Sequence, residues 1–191
     1  MALVLTSGPL SEPVTVAEAK AHLRLDGSAE DLLIASLILT SRLHIEAALG
    51  LALITQGWRL ILDRWPGWPE VPIPLRPIQS IASVSVLAAD GTPETMPASG
   101  YILDQHGLPP RLIRTGTSWP GPGRLAAGIE IGFTAGYGAA ASDVPAPIRQ
   151  ALLMLVAHWY EHRDPIEIGS PVIAIPSAVS ELLAPYREAR L

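Results

Sequence analysis

From Ala29 to Leu49 the chain reads "AEDLLIASLILTSRLHIEAAL", with no proline or glycine before Gly50. A run of this kind without a breaker predicts one long helix, started at Ser28 and ended by Gly50 at the C′ position. Upstream, Thr15 and Glu18 form the pattern T-x-x-E, a capping box in which hydroxyl and carboxylate satisfy orphan amides at a helix start. That first helix is expected to reach about Leu25, where "DG" stops it. The two together make a helical hairpin.

At about 100° per residue, Leu32, Leu33, Ile34, Leu37, Ile38, Leu39, Leu43 and Ile45 fall around the whole circumference of the second helix. A helix apolar all round is buried all round. One partner hairpin cannot cover every face, so a neighbouring copy of the chain is expected to cover the rest. Leu33, Leu37, Ile38 and Ile45 are the candidates for that subunit interface. Burial inside a single larger core is the alternative.

Composition points the same way. Apolar residues are 49% and charged residues 16% of the 191, against about 25% charged in an average soluble domain, so part of the outside is expected to be covered. Cysteine is absent, which excludes disulfides, thiolate zinc sites and thiol catalysis. The opening "MALVLTSGPL" lacks the basic start and long apolar core of a signal peptide. No unbroken apolar run approaches the roughly 18 residues of a membrane span. The expectation is a soluble protein made in a cytoplasm, without a membrane partner. A net charge of −5, with Lys20 the only lysine, argues against a surface built to grip nucleic acid.

From Leu53 the texture changes. "LITQGWRLILDRW" alternates around β-formers, and the prolines of "PGWPEVPIPLRP" exclude helix interior and central strand. "SIASVSVL", "YILD", "RLIRT" and "GIEIGFTAGYG" follow as short strands with turns between them. Helical texture resumes near Asp143. Pro145 and Pro147 are tolerable in a first turn, and Ile148, Leu152, Leu155, Val156 and Trp159 form a stripe up to Asp164 and Pro165. "SAVSELLA" predicts a short last helix stopped by Pro185.

The expected class is α+β: a helical body, made of the N-terminal hairpin, the long C-terminal helix and the short last one, interrupted by a small inserted β-module. By residue number the parts are 1–51, helical; 52–140, the β-module; 141–184, helical; and 185–191, a tail.

Three constellations could carry chemistry. "HWYEH" matches H-x-x-E-H, in which two histidines hold zinc and the glutamate acts as base. His158 and His162 lie about 40° apart on the wheel, which suits a metal. A hydrolase also needs a third ligand, and only Glu167, Glu181 and Glu188 follow as carboxylates, none on a clear ligand helix. The competing reading is a structural helix end. Trp65 and Trp68 in "RWPGWP" could form a sugar- or peptide-binding platform, or serve with Trp58 and Trp119 in the module's own core. The glycines of "GFTAGYG" fit no phosphate-cradling loop, and no nucleophile elbow or triad spacing is present. "PYREARL" has the aromatic and arginine content of a docking peptide, or is a frayed terminus.

"VTVAEAKAHLRLD", "ALITQGWRLILDRWP", "VPAPIRQALLMLVAHWYEHRD" and "LLAPYREARL", in this order over most of the chain, resemble the head-tail connector (adaptor) proteins of long-tailed bacteriophages and gene transfer agents. The resemblance implies a virion structural protein assembled in the bacterial host cytoplasm. It implies a ring, usually of about twelve copies, between the portal of a DNA-filled capsid and the stopper or tail-terminator below, with packaged DNA passing through the lumen without sequence-specific binding. It implies no enzyme activity, no cofactor and no metal, with "HWYEH" in a structural helix. The portal-docking candidates become Pro185, Tyr186, Arg187, Arg190 and Leu191. A lumen sharing the chain's negative sign would repel DNA phosphates, and Glu30 and Asp31, at the mouth of the second helix, are the lumen candidates.

Overall fold

The computed structural model describes residues 1–162 and 175–187. The chain divides into two compact units, one of residues Met1–Leu10 with Gly50–Tyr137, the other of Ser11–Leu49 with the described residues from Gly138 onward.

The first unit is built of eight strands in two antiparallel sheets. The larger sheet has the order β1 (Ala2–Ser7), β2 (Gln56–Leu62), β8 (Ile129–Ala135), β4 (Ile78–Leu87), β5 (Pro93–Thr95); the smaller has β3 (Glu70–Pro72), β7 (Arg111–Arg114), β6 (Tyr101–Asp104). β8 is central and alternates strictly: Ile129, Ile131, Phe133 and Ala135 are buried, the residues between them half-exposed. In register, Ile131 faces Leu60 on one side and Val84 on the other. These side chains, with Val86, Leu112 and Ile73, form the core of the unit. Proline-bearing β3 lies at a sheet edge, where its missing N–H leaves no ladder bond unmade.

The glycines of "GFTAGYG" serve close backbone approach. Gly136 has φ of +137°, and a Cβ there would come within 2.6 Å of the Ile54 carbonyl. Its N–H donates to the Pro77 carbonyl at 2.9 Å.

The expectation of a small β-module inserted in a helical body is overturned. The chain is α+β, but the two sheets are a main part of it. Each short strand signals weakly alone, and β1 precedes the first helix while its partner β2 lies more than fifty residues on, so nothing local announces it.

The second unit holds the helices α1 (Val16–Leu23), α2 (Asp31–Leu49), α3 (Ala146–Glu161) and α4 (Ser177–Leu183). The capping box is present: Glu18 N–H donates to Thr15 Oγ1 at 3.1 Å, and Thr15 N–H to Glu18 Oε2 at 2.7 Å. α1 ends at Leu23 rather than at "DG", because Arg24 itself turns left-handed with φ of +56°. Gly50 ends α2 with φ of +63°, as its position predicts. α3 buries Ile148, Ala151, Leu152, Leu155 and Val156, and α1, α2 and α4 pack against it.

By length and composition α2 is long and apolar enough to cross a membrane, although a third of that stretch is buried in the unit. Counting unbroken apolar residues overlooks this, since Ser36, Thr40, Arg42 and Glu46 interrupt the run. Arg42 and Glu46 oppose insertion, because a charged side chain is costly inside a bilayer.

Candidate assembly surface

α2 buries a mixed side and exposes an uncharged one. Its buried side carries Ile34, Ile38, Ser41, Arg42, Ile45, Glu46 and Leu49. Arg42 is 5% exposed and Glu46 9%. The guanidinium donates to both oxygens of Glu12, from Nε at 2.7 Å and Nη2 at 3.2 Å, and from Nη1 to Glu46 Oε2 at 2.8 Å. Burial would lower the Arg42 pKa, but the bonds to Glu12 and the charge of Glu46 outweigh it and hold it above its ordinary value. Glu12 is thirty residues away, so the charges turn inward for a partner that the helix's own sequence does not contain.

The opposite side has no Asp, Glu, Lys or Arg among its exposed residues. Leu32 (90% exposed), Ser36, Leu39 and Leu43 (52%) make a row at spacings of four, three and four residues, the pattern of a seam that packs on another helix or flat apolar wall. Fully burying a leucine side chain contributes about 1.5–3 kcal/mol, so the row forgoes several kcal/mol while it faces water.

The interface candidates divide accordingly. Leu33 lies at the border of the exposed wall and Leu37 is half-buried. Ile38 and Ile45 are already covered within the chain, which removes them from any surface offered to a neighbour. A wheel of uniformly apolar residues does not show which arc turns inward, and Leu32, Leu39 and Leu43 are the residues it left unsingled.

The lumen candidates are engaged. Glu30 accepts a hydrogen bond from the Tyr160 hydroxyl, and Asp31 Oδ1 takes Lys20 Nζ at 2.7 Å. Lys20 also donates to the Gly27 carbonyl, so the single lysine ties the two helices of the hairpin. Of the portal-docking candidates, Pro185 lies in the short 3-10 turn Ala184–Tyr186 after α4. Tyr186 is half-buried and Arg187 exposed. Arg190 and Leu191 lie outside the described residues.

"HWYEH" ends α3. The His158 and His162 rings are 4.8 Å apart, centre to centre, and His162 Nδ1 lies 2.8 Å from the His158 carbonyl oxygen, a capping contact that engages one ring nitrogen. Burial, then the neighbouring His162, pushes the His158 pKa below its ordinary 6.5. Among the described residues no three of His, Asp and Glu gather where they could hold a metal; Glu181 is exposed on α4, and Glu167 and Glu188 lie outside the described residues. Trp159 meets the His44 ring edge-on at 5.7 Å.

Trp65 stacks flat on Trp119, 4.2 Å away, and donates its indole N–H to the Pro120 carbonyl at 2.7 Å; both pack on the core of the first unit, as Trp58 does. Trp68, 60% exposed, lines a cleft of about 330 Å³ with Glu70, Leu108 and Arg111. The two tryptophans of "RWPGWP" therefore have different roles, and Trp65 is not free to join a stacking platform.

No family model and no curated protein sequence matches the chain. Among solved structures it is similar to a chain in the neck of an empty gene transfer agent (GTA) particle computed with C6 symmetry, at 29% identity and a TM-score of 0.86, over 100% of this chain and 97% of that one. A chain in the virion of a native gene transfer agent particle is 30% identical with a TM-score of 0.85, and one in the neck of a native GTA particle computed with C12 symmetry is 28% identical with a TM-score of 0.83, each over the same shares. Identity at this level along the full chain, with the fold preserved in both units, assigns it: it belongs to the head-tail connector (adaptor) family of long-tailed bacteriophages and gene transfer agents, as a structural protein of the neck of a phage-like particle.

Proposed function

We propose that the protein is a non-enzymatic adaptor whose copies close side by side into a ring of about twelve, seated between the portal and the stopper or tail-terminator, with packaged DNA passing through the lumen. The observation that carries this reading is full-length similarity to chains of particle necks computed with sixfold and twelvefold symmetry. The uncharged outer wall of α2 fits it, since cyclic closure gives every protomer neighbours to bury such a wall. A net charge of −5 per copy suits passage without grip, because a lumen of that sign repels phosphates. Glu30 and Asp31 are the lumen candidates in this reading, with Lys20 offsetting part of the charge of Asp31. The chain end from Pro185, with Tyr186, Arg187, Arg190 and Leu191, is the portal contact.

Removing residues 184–191 tests the portal contact: the truncated protein is expected to fold, and to be missing from portal-bearing heads. Normal infectious or gene-transferring particles made with the truncation would overturn that assignment. For the ring, Leu32→Glu with Leu43→Glu is expected to leave a folded protomer and no closed rings in electron micrographs of necks. Rings formed by that double variant would remove α2 from the interface.

A further inference from the structure

The cleft beside β3 has no part in ring closure, portal contact or DNA passage. Its volume of about 330 Å³ lies at the small end of the roughly 300–1,000 Å³ of ligand pockets. β3 contributes Glu70 and Pro72, the β6–β7 turn Leu108 and Pro109, and β7 Arg111. Trp68 completes the wall and is 60% exposed, whereas Trp58, Trp65 and Trp119 pack on the core of the unit. An indole left in water on a cleft wall forgoes the burial that the others obtain.

The polar side of the cleft is tied together by its own charges. Arg111 donates from Nη1 to Glu70 Oε2 at 2.7 Å and from Nε to Asp104 Oδ2 at 2.9 Å. Asp104 Oδ1 in turn accepts from the backbone N–H groups of His106 and Gly107, each at 3.1 Å, which fixes the turn that carries Leu108. Among the described residues Glu70 Oε1 and Arg111 Nη2 have no bond, so the pair still offers an acceptor and a donor close together.

We propose that this cleft binds a neutral hexopyranose, with Trp68 against the C–H face of the ring and Glu70 and Arg111 on adjacent hydroxyls. Charge narrows the ligand class: the guanidinium disfavours a cation, and the two carboxylates disfavour an anion. Hydroxyls both donate and accept, which answers an acceptor and a donor standing together. The electron-rich face of an indole attracts polarised C–H groups, and a sugar ring presents these beside its hydroxyls. A proline-rich peptide, by contrast, docks on grooves lined by aromatic residues, and Trp65, the nearest aromatic in sequence, is taken by Trp119 at 4.2 Å.

The test is saturation-transfer difference NMR of the full chain with glucose, galactose and mannose. Transfer to the ring C–H protons of at least one of them is expected. Trp68→Ala, at an exposed position, is expected to fold and to lose affinity about tenfold or more, while Trp68→Phe, which keeps an aromatic face, retains most of the binding. Glucuronate and glucosamine, one anionic and one cationic, are expected to bind more weakly than the neutral ring. No transfer to any of the three sugars, unchanged binding in folded Trp68→Ala, an equal loss in Trp68→Phe, or tighter binding of either charged sugar overturns the proposal. So does binding of a decaproline peptide in place of the sugars. A bacterial-surface glycan ending in the sugar that binds, added in competition, separates two sources of the ring: displacement supports a glycan end, and no displacement supports a free sugar.

Discussion

α2 and α3 are neighbours of similar length that differ in what they turn inward and what they leave outside. α3 turns Ile148, Ala151, Leu152, Leu155 and Val156 inward, with no charged residue among them. α2 turns Arg42 and Glu46 inward and leaves Leu32, Leu39 and Leu43 outside. A hydrophobic helix thus says that something will cover it and not what; the answer comes from where its polar residues go. Where charges occupy part of the inner side and find a partner such as Glu12, an apolar arc is left on the outside.

The contrast can be broken most sharply at Arg42. Arg42→Met strands Glu46 in a buried site beside Glu12, and is expected to lower unfolding free energy by about 3–5 kcal/mol, read from urea denaturation of the protomer. Adding Glu46→Leu is expected to recover most of that, since apolar replacement of a buried pair is near neutral. A single variant as stable as the parent would mean that the inward charges are not fixed by their partners. Next comes Leu152→Ala in α3, expected to cost about 2–5 kcal/mol by the same measurement.

The cap of α1 is a smaller effect with a pH signature. Thr15→Ala is expected to cost about 1 kcal/mol. The Thr15 backbone N–H, against the opposing effect of burial and helped by the Thr15 hydroxyl and Arg149, holds the Glu18 carboxyl below its ordinary 4.5. Folding therefore favours the ionised form, and this stabilisation is present above about pH 4.5 and is lost as the pH falls through the lower folded value. Thermal melts of the parent and Glu18→Gln should converge on acidification; a gap constant down to pH 3 would contradict the assignment. The smallest expected change is Leu39→Gln, within about 0.5 kcal/mol for the protomer, yet with fewer closed rings in micrographs of necks. A large loss of protomer stability there would show that the outer wall is already covered.

What was legible in the sequence was local. The Thr15 and Glu18 cap, the Gly50 stop, the stripe of α3 and most strands follow from neighbours a few residues apart. The direction of α2 was not legible, because Glu12 fixes it from thirty residues away and a uniformly apolar wheel has no preferred side. β1 escaped for a related reason: six residues ahead of a helix signal become a strand only through Gln56–Leu62. "HWYEH" was ambiguous for the opposite reason, since three letters on a helix match a zinc signature and equally a helix end, and they do not say that His162 Nδ1 meets the carbonyl of His158.

The face-to-face indoles of Trp65 and Trp119 give the molecule an optical handle. Parallel rings 4.2 Å apart couple their electronic transitions, so near-ultraviolet circular dichroism reports on the sheets, while the far-ultraviolet helical band reports on the other unit. Followed together in one heating experiment, the two signals would tell whether the units melt as one cooperative body or in succession.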